Sequence, residues 1–151
     1  MAHKISSDDR SGGTTNLEWI LDNWIELGAD PAKLNLGLAA YGRSFKMKDP
    51  NIHGYRAPCT GSGGRYSGAA GRFTREAGYL AYYEICEKLQ NGWTEVWLDE
   101  GKVPYAYGDG DWVGYDNVES INYKVDMAKT YGLGGLMWWT TAMDDFNVGL
   151  V

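Results

Sequence analysis

From Thr15 to Leu27 the apolar residues Leu17, Ile20, Leu21, Trp24 and Leu27 recur at helical spacing, with polar residues between them. The pattern predicts an amphipathic helix opened by the capping-box pair Thr15-x-x-Glu18 and closed by Gly28 and Pro31. The run LNLGLAAY, Leu34 to Tyr41, is then almost free of polar residues and reads as a strand covered on both faces. The same succession closes the chain. Asp116-x-x-Glu119 introduces a helical stripe of Val118, Ile121, Val125 and Ala128, Gly132 ends it, and GGLMWW follows as a second buried strand. Two such units suit an open doubly wound sheet or part of a barrel of alternating strands and helices.

The residues between the two units follow another pattern. APCTGSGGRYSGAAG is a Gly/Ser-rich loop, and Phe73 to Leu89 carries Tyr82, Ile85, Cys86 and Leu89 along one helical stripe. After Gly92 come the β-like pieces WTEVWL, VPYAY and WVGY, the last two flanking a hairpin-turn composition, Gly108-Asp109-Gly110-Asp111. The expected organisation is therefore a small α+β domain, residues 42–115, inserted into an α/β domain made of residues 1–41 and 116–151.

Composition narrows the function classes. A chain of 151 residues is long enough to bury a core as one domain. Lys and Arg number 14 against 20 Asp and Glu, and no basic run is present that could neutralise several phosphates, so nucleic acid is not an expected partner. No apolar stretch approaches the roughly 20 residues of a membrane span, and no apolar run follows Met1-Ala2-His3-Lys4 as a signal peptide would require. Two cysteines, Cys59 and Cys86, with only His3 and His53, make no spaced metal set; one disulfide and two free thiols both fit. No metal or cofactor is expected. The aromatic surplus lies in 7 Trp and 11 Tyr against 3 Phe, side chains that suit flat surfaces able to hydrogen-bond. Asp109, Asp111, Asp116 and Glu119 look like an acidic cluster, but turn formation and helix capping account for them.

Five blocks are more specific: LNLGLAAYGRSF, REAGYLAYYEIC, KVPYAY, WVGYDNVES and GLGGLMWWTTAMDDF. In this order and spacing they resemble the C-terminal third of family 18 chitinases, over nearly the whole chain from about residue 6. The resemblance implies a partial TIM barrel, its last two βα units, with a chitinase-type α+β insertion. Leu34 to Tyr41 would be the seventh strand and Gly135 to Thr140 the eighth. Barrel enzymes build their sites at the C-terminal ends of strands, where Tyr41-Gly42-Arg43 and Trp139 fall. By resemblance, Trp139 would lie under the N-acetylglucosamine ring at the cleavage site, while Trp138 packs against a helix. Tyr41 and Arg43 would hydrogen-bond the sugars, with Gly42 allowing a sharp turn between them. Glu76 and Tyr79, one helical turn apart, would wall the cleft, Tyr79 standing where relatives often carry Met. Asp144 and Asp145 match a structural pair. Ala142 stands where relatives commonly carry Asp, and Cys86 matches a cysteine whose partner lies beyond Val151.

Other parts of the family's chemistry are absent from these 151 residues. Family 18 enzymes are implied to use substrate assistance: the N-acetyl oxygen attacks the anomeric carbon while a glutamate protonates the leaving oxygen. The Asp-x-x-Asp-x-Asp-x-Glu motif that carries this acid does not occur here, nor does the Met-x-Tyr-Asp block that orients the N-acetyl group. General acid catalysis supplies typically 10²–10⁴-fold in rate. The expected function is thus the substrate-binding C-terminal portion of a chitinase that cleaves β-1,4-linked N-acetylglucosamine polymers with retention, inactive alone. The alternative is a catalytically silent, lectin-like chitin-binding module. The resemblance also implies an extracellular setting. Two strands cut from a barrel would expose unpaired edges, which leaves three alternatives: self-association with a second copy, pairing of the two strands with each other under the helices, or excision from a longer chain.

Overall fold

The computed structural model describes residues 14–60 and 68–146; residues 61–67 of the expected Gly/Ser loop lie outside the described residues. The chain forms two compact units that interleave in sequence. Met1–Leu38, Trp97–Val103 and Asn117–Trp138 make the first; Ala39–Val96, Pro104–Asp116 and Trp139–Val151 make the second.

The first unit holds helix α1 (Leu17–Glu26), a 3-10 turn (Pro31–Lys33), most of strand β1 (Asn35–Ala39), helix α3 (Val118–Thr130) and most of strand β7 (Gly135–Trp139). Both helices start one residue later than the expected caps. Asn16 accepts the Trp19 amide at 2.9 Å in place of Thr15. Asn117 and Ser120 exchange side-chain bonds in place of Asp116 and Glu119. Asn is a stronger N-cap than Thr, and capping needs only a side-chain oxygen within reach of the third amide. Leu21 and Met127 pack together with Leu17, Tyr131 and Leu133 around them. The buried face of α3 is Ser120, Lys124, Met127 and Ala128, rotated from the expected stripe, and Val118 is exposed. Lys124 can occupy such a face in part because its methylene stem is apolar.

Strands β1 and β7 form a two-stranded sheet. Gly134 donates to the Leu34 carbonyl at 2.9 Å and Ala40 to the Trp139 carbonyl at 2.9 Å, so the two run parallel. Neither is buried on both faces as expected. β1 alternates, with Leu36 and Leu38 buried and Asn35 and Gly37 exposed, and β7 leaves Leu136, Met137 and Trp138 exposed. Trp138, 36% exposed, is therefore not the buried helix-packing residue expected. Among the described residues each of the two strands has one neighbour in the sheet.

The run expected as one strand, Leu34 to Tyr41, breaks at Ala40, and the chain enters a different sheet. Strand β2 (Tyr41–Lys46) lies in a five-stranded sheet of order β3-β2-β6-β5-β4, with β3 at Tyr79–Ala81, β4 at Thr94–Leu98, β5 at Val103–Gly108 and β6 at Asp111–Gly114. The β5–β6 hairpin turns where expected, through Asp109 (φ 52°) and Gly110 (φ 76°), the left-handed pair that tight hairpins need. On one face Leu80, Ala106 and Val113 join Ile85, Trp93 and Tyr115 in a core beneath helix α2 (Tyr82–Gln90). Gly42 belongs to this face. A Cβ there would come within 2.6 Å of Val113 and 2.8 Å of Ile85, so close packing within β2, rather than a turn, demands the glycine.

The other face carries Tyr41, Arg43 and Phe45 from β2, beside Tyr79 of β3 and Trp112 of β6. The helix expected from Phe73 to Leu89 starts only at Tyr82. Upstream, Arg75 (φ 53°) and Gly78 (φ 77°) are left-handed, which ends any helix. Glu84 supplies the rest of the reason: its carboxylate, 3% exposed, accepts the amides of Phe73 (2.7 Å), Thr74 (3.1 Å) and Ala81 (3.0 Å) and the Thr74 hydroxyl (2.9 Å). A charged acceptor with four donors holds residues 73–81 as a loop and a short strand.

Candidate substrate-binding site

Tyr41, Arg43, Glu76, Tyr79 and Trp139 all fall in the second unit. Pairing of β2 with β3 sets Arg43 opposite Tyr79, and their shared face brings Tyr41 alongside. The Tyr41 and Tyr79 rings lie 4.9 Å apart with planes tilted by 31°. The Arg43 guanidinium sits over both, 4.6 Å from the Tyr79 ring centre and 5.3 Å from that of Tyr41. A guanidinium over a ring face is held by the ring quadrupole, more strongly as water is excluded.

Trp139 ends β7, its carbonyl accepting the amide of Ala40, the residue before Tyr41, at 2.9 Å. Its side chain is 60% exposed, and the Trp139–Thr140 peptide is cis. The next residues form a 3-10 turn (Thr141–Met143), and Met143 sulfur accepts a hydrogen bond from the Tyr79 hydroxyl at 2.9 Å. Asp144 follows the turn, and its side chain accepts the Asp145 amide at 2.9 Å.

Glu76 and Tyr79 do meet, though through a turn and not along a helix. Tyr79 donates its amide to the Glu76 carbonyl at 3.3 Å, and Gly78, third in the turn, supplies the positive φ. The Glu76 side chain is exposed. Burial pushes the Tyr79 hydroxyl above its ordinary pKa, the neighbouring Tyr41 and Glu76 push it the same way, and Arg43 opposes them. Tyr79 is thus a neutral donor, matched to the methionine sulfur it faces.

Two residues escaped sequence reading. Met143 has no chemical signature of its own. Glu84 stands three residues after Ala81, which cannot form a capping box, so its reach to the loop amides is visible only in the fold. Cys59 and Cys86 are free thiols, the latter buried. Among the described residues no group of His, Cys, Asp and Glu is placed to hold a metal ion, and no helix is long and apolar enough to cross a membrane.

The family description Glycosyl hydrolases family 18 matches residues 3–144. The chain belongs to this family. Mouse chitotriosidase-1 is 37% identical over 146 residues, which cover 96% of this chain and 29% of that protein. The structure of human YKL-39, a pseudo-chitinase with retained chitooligosaccharide binding properties, superposes with a TM-score of 0.86 at 38% identity, covering 95% of this chain and 38% of that one. An active chitinase from Trichuris suis gives a TM-score of 0.89 at 34% identity over the same shares. The family 18 chain described here thus spans well under half of each. The expected α/β class holds: the last two βα units of a barrel with an inserted α+β segment, and no closed barrel among the described residues.

Proposed function

We propose that this chain is the sugar-binding wall of a family 18 protein acting on β-1,4-linked N-acetylglucosamine polymers. The parent protein would cleave chitin by the substrate-assisted retaining route, and this chain alone, without the glutamate motif, would bind and not hydrolyse. In this reading the exposed indole of Trp139 stacks under one sugar ring. Arg43 and the Tyr41 hydroxyl hydrogen-bond the sugars, Glu76 offers a carboxylate at the rim, and Tyr79 backs the group. The observation that carries the reading is the exposure of Trp139, 60%, at the end of the last strand and beside the Tyr41–Arg43 edge. A large indole left open next to polar donors fits a sugar ring, which has an apolar C–H face and a hydroxylated rim. The relative YKL-39 supports separability, since a pseudo-chitinase retains chitooligosaccharide binding.

Titration with chitotetraose, followed by tryptophan fluorescence, tests it. A saturable change is expected in the wild-type chain, and Trp139→Ala should weaken binding by about 2 kcal/mol, roughly thirty-fold in Kd. No saturable change at millimolar ligand would sink the reading.

Kinship also supports treating residues 1–41 and 116–151 as barrel and 42–115 as insertion domain. It supports an extracellular setting for the parent, which its absence from culture medium would contradict. The exposed Leu136, Met137 and Trp138 of β7 favour self-association of this chain at the outer edges of the β1–β7 pair.

A further inference from the structure

Resting on the sugar-binding reading above, we propose that Tyr79 is a positioning residue: it makes no sugar contact itself and couples Arg43 to the turn that follows Trp139. At 8% exposure Tyr79 has little surface left for a ligand. Its ring is engaged by Tyr41 at 4.9 Å and by the Arg43 guanidinium at 4.6 Å, and its hydroxyl is engaged by Met143 sulfur at 2.9 Å. A side chain with its ring packed and its one polar atom bonded acts through the groups it holds.

Of those groups Tyr41 and Arg43 are proposed sugar contacts, and Met143 belongs to the turn that follows a third, Trp139. Across β2–β3, Tyr79 fixes where the Arg43 guanidinium stands. Through Met143 it fixes the 3-10 turn, whose bond from the Met143 amide to the Thr140 carbonyl at 2.9 Å anchors the residue directly after Trp139. The backbone of Tyr79 is itself held by the turn to Glu76 and by the ladder to Arg43. Tyr79 therefore links a rigid strand to the turn after β7 through its hydroxyl–sulfur bond.

A double-mutant cycle with Tyr79→Phe and Met143→Leu separates this from direct contact. Phe keeps the ring under Arg43 and removes the hydroxyl; Leu removes only the acceptor. Each variant should weaken chitotetraose binding by about three- to ten-fold, the range of one neutral hydrogen bond, and the double variant should be no weaker than the worse single one. Without any ligand, the indole N–H resonance of Trp139, assigned with Trp139→Phe, should move in both single variants. A Trp139 resonance unmoved by Tyr79→Phe overturns the coupling, as does a double variant whose losses simply multiply. If the wild-type chain binds no chitotetraose, the sugar reading fails, while the ligand-free resonance still decides the coupling.

Discussion

The carboxylate of Glu84 shows how one side chain governs a site it never enters. Buried and surrounded by four donors, it organises the loop that delivers Glu76 and Tyr79. Replacement by glutamine sets an NH2 group against amide donors and removes charge-assisted bonds, so Glu84→Gln should lower stability by about 2–3 kcal/mol in urea denaturation. Glu87→Gln, at an exposed position one turn further along α2, should stay within about 0.5 kcal/mol. Equal small effects of the two would contradict the role. Cys86 offers a second check. Burial is the largest influence lifting its thiol from an ordinary value of 9.0 to about 11, with Asp145 adding to it. The folded chain thus holds that proton more tightly than the unfolded chain. The resulting stabilisation is complete below pH 9 and fades as pH rises towards 11. Stability should therefore fall less steeply across that window in Cys86→Ala. A thiol reagent at pH 8 should modify half-buried Cys59 well before Cys86, and equal rates at the two would show that Cys86 is not protected. At this scale the block resemblance names Tyr41, Arg43 and Trp139; the structure puts all three in one unit, but Tyr41 and Arg43 lie within β2 and not at the end of the strand expected from Leu34 to Tyr41. The burial of Tyr79 was not legible in the sequence, since it depends on a strand register joining residues 43 and 79.

Among the elements, strands came through the sequence better than helix boundaries. VPYAY and WVGY became β5 and β6 with the turn where the Asp-Gly pair puts it, because hairpin chemistry is local. The caps of α1 and α3 slipped by one residue because Thr15 and Asn16, and Asp116 and Asn117, are both competent N-caps and sequence pattern cannot rank neighbours so close. The stretch 73–81 was read as helix for a different reason. Its left-handed Arg75 carries no sequence flag, and the contacts of Glu84 with Phe73 and Thr74 cross ten or eleven residues. Strand β7 reads as buried because hydropathy records only preference for burial, and its apolar side chains are open. An open strand edge beside apolar side chains is a template for pairing with another chain. Sedimentation of the isolated chain should show concentration-dependent dimers or larger species, and a strictly monomeric species at high concentration would refute self-association.

For the molecule as a whole, family membership and fold stand apart from activity. The net charge of −6 disfavours polyanions but fits a neutral polysaccharide, and the residues proposed to bind it all lie in one of the two units. The proposed binding would therefore not depend on chemistry that this sequence lacks, whereas hydrolysis would. The most direct measurement is a two-dimensional NMR titration with chitotetraose that follows the Trp139 indole N–H and the Arg43 side-chain Nε–H together. The account predicts that both shift saturably with one common Kd, while the indoles of Trp19 and Trp24 on α1 stay still. Shifts confined to α1, or a Trp139 resonance that ignores the sugar while others respond, would contradict it.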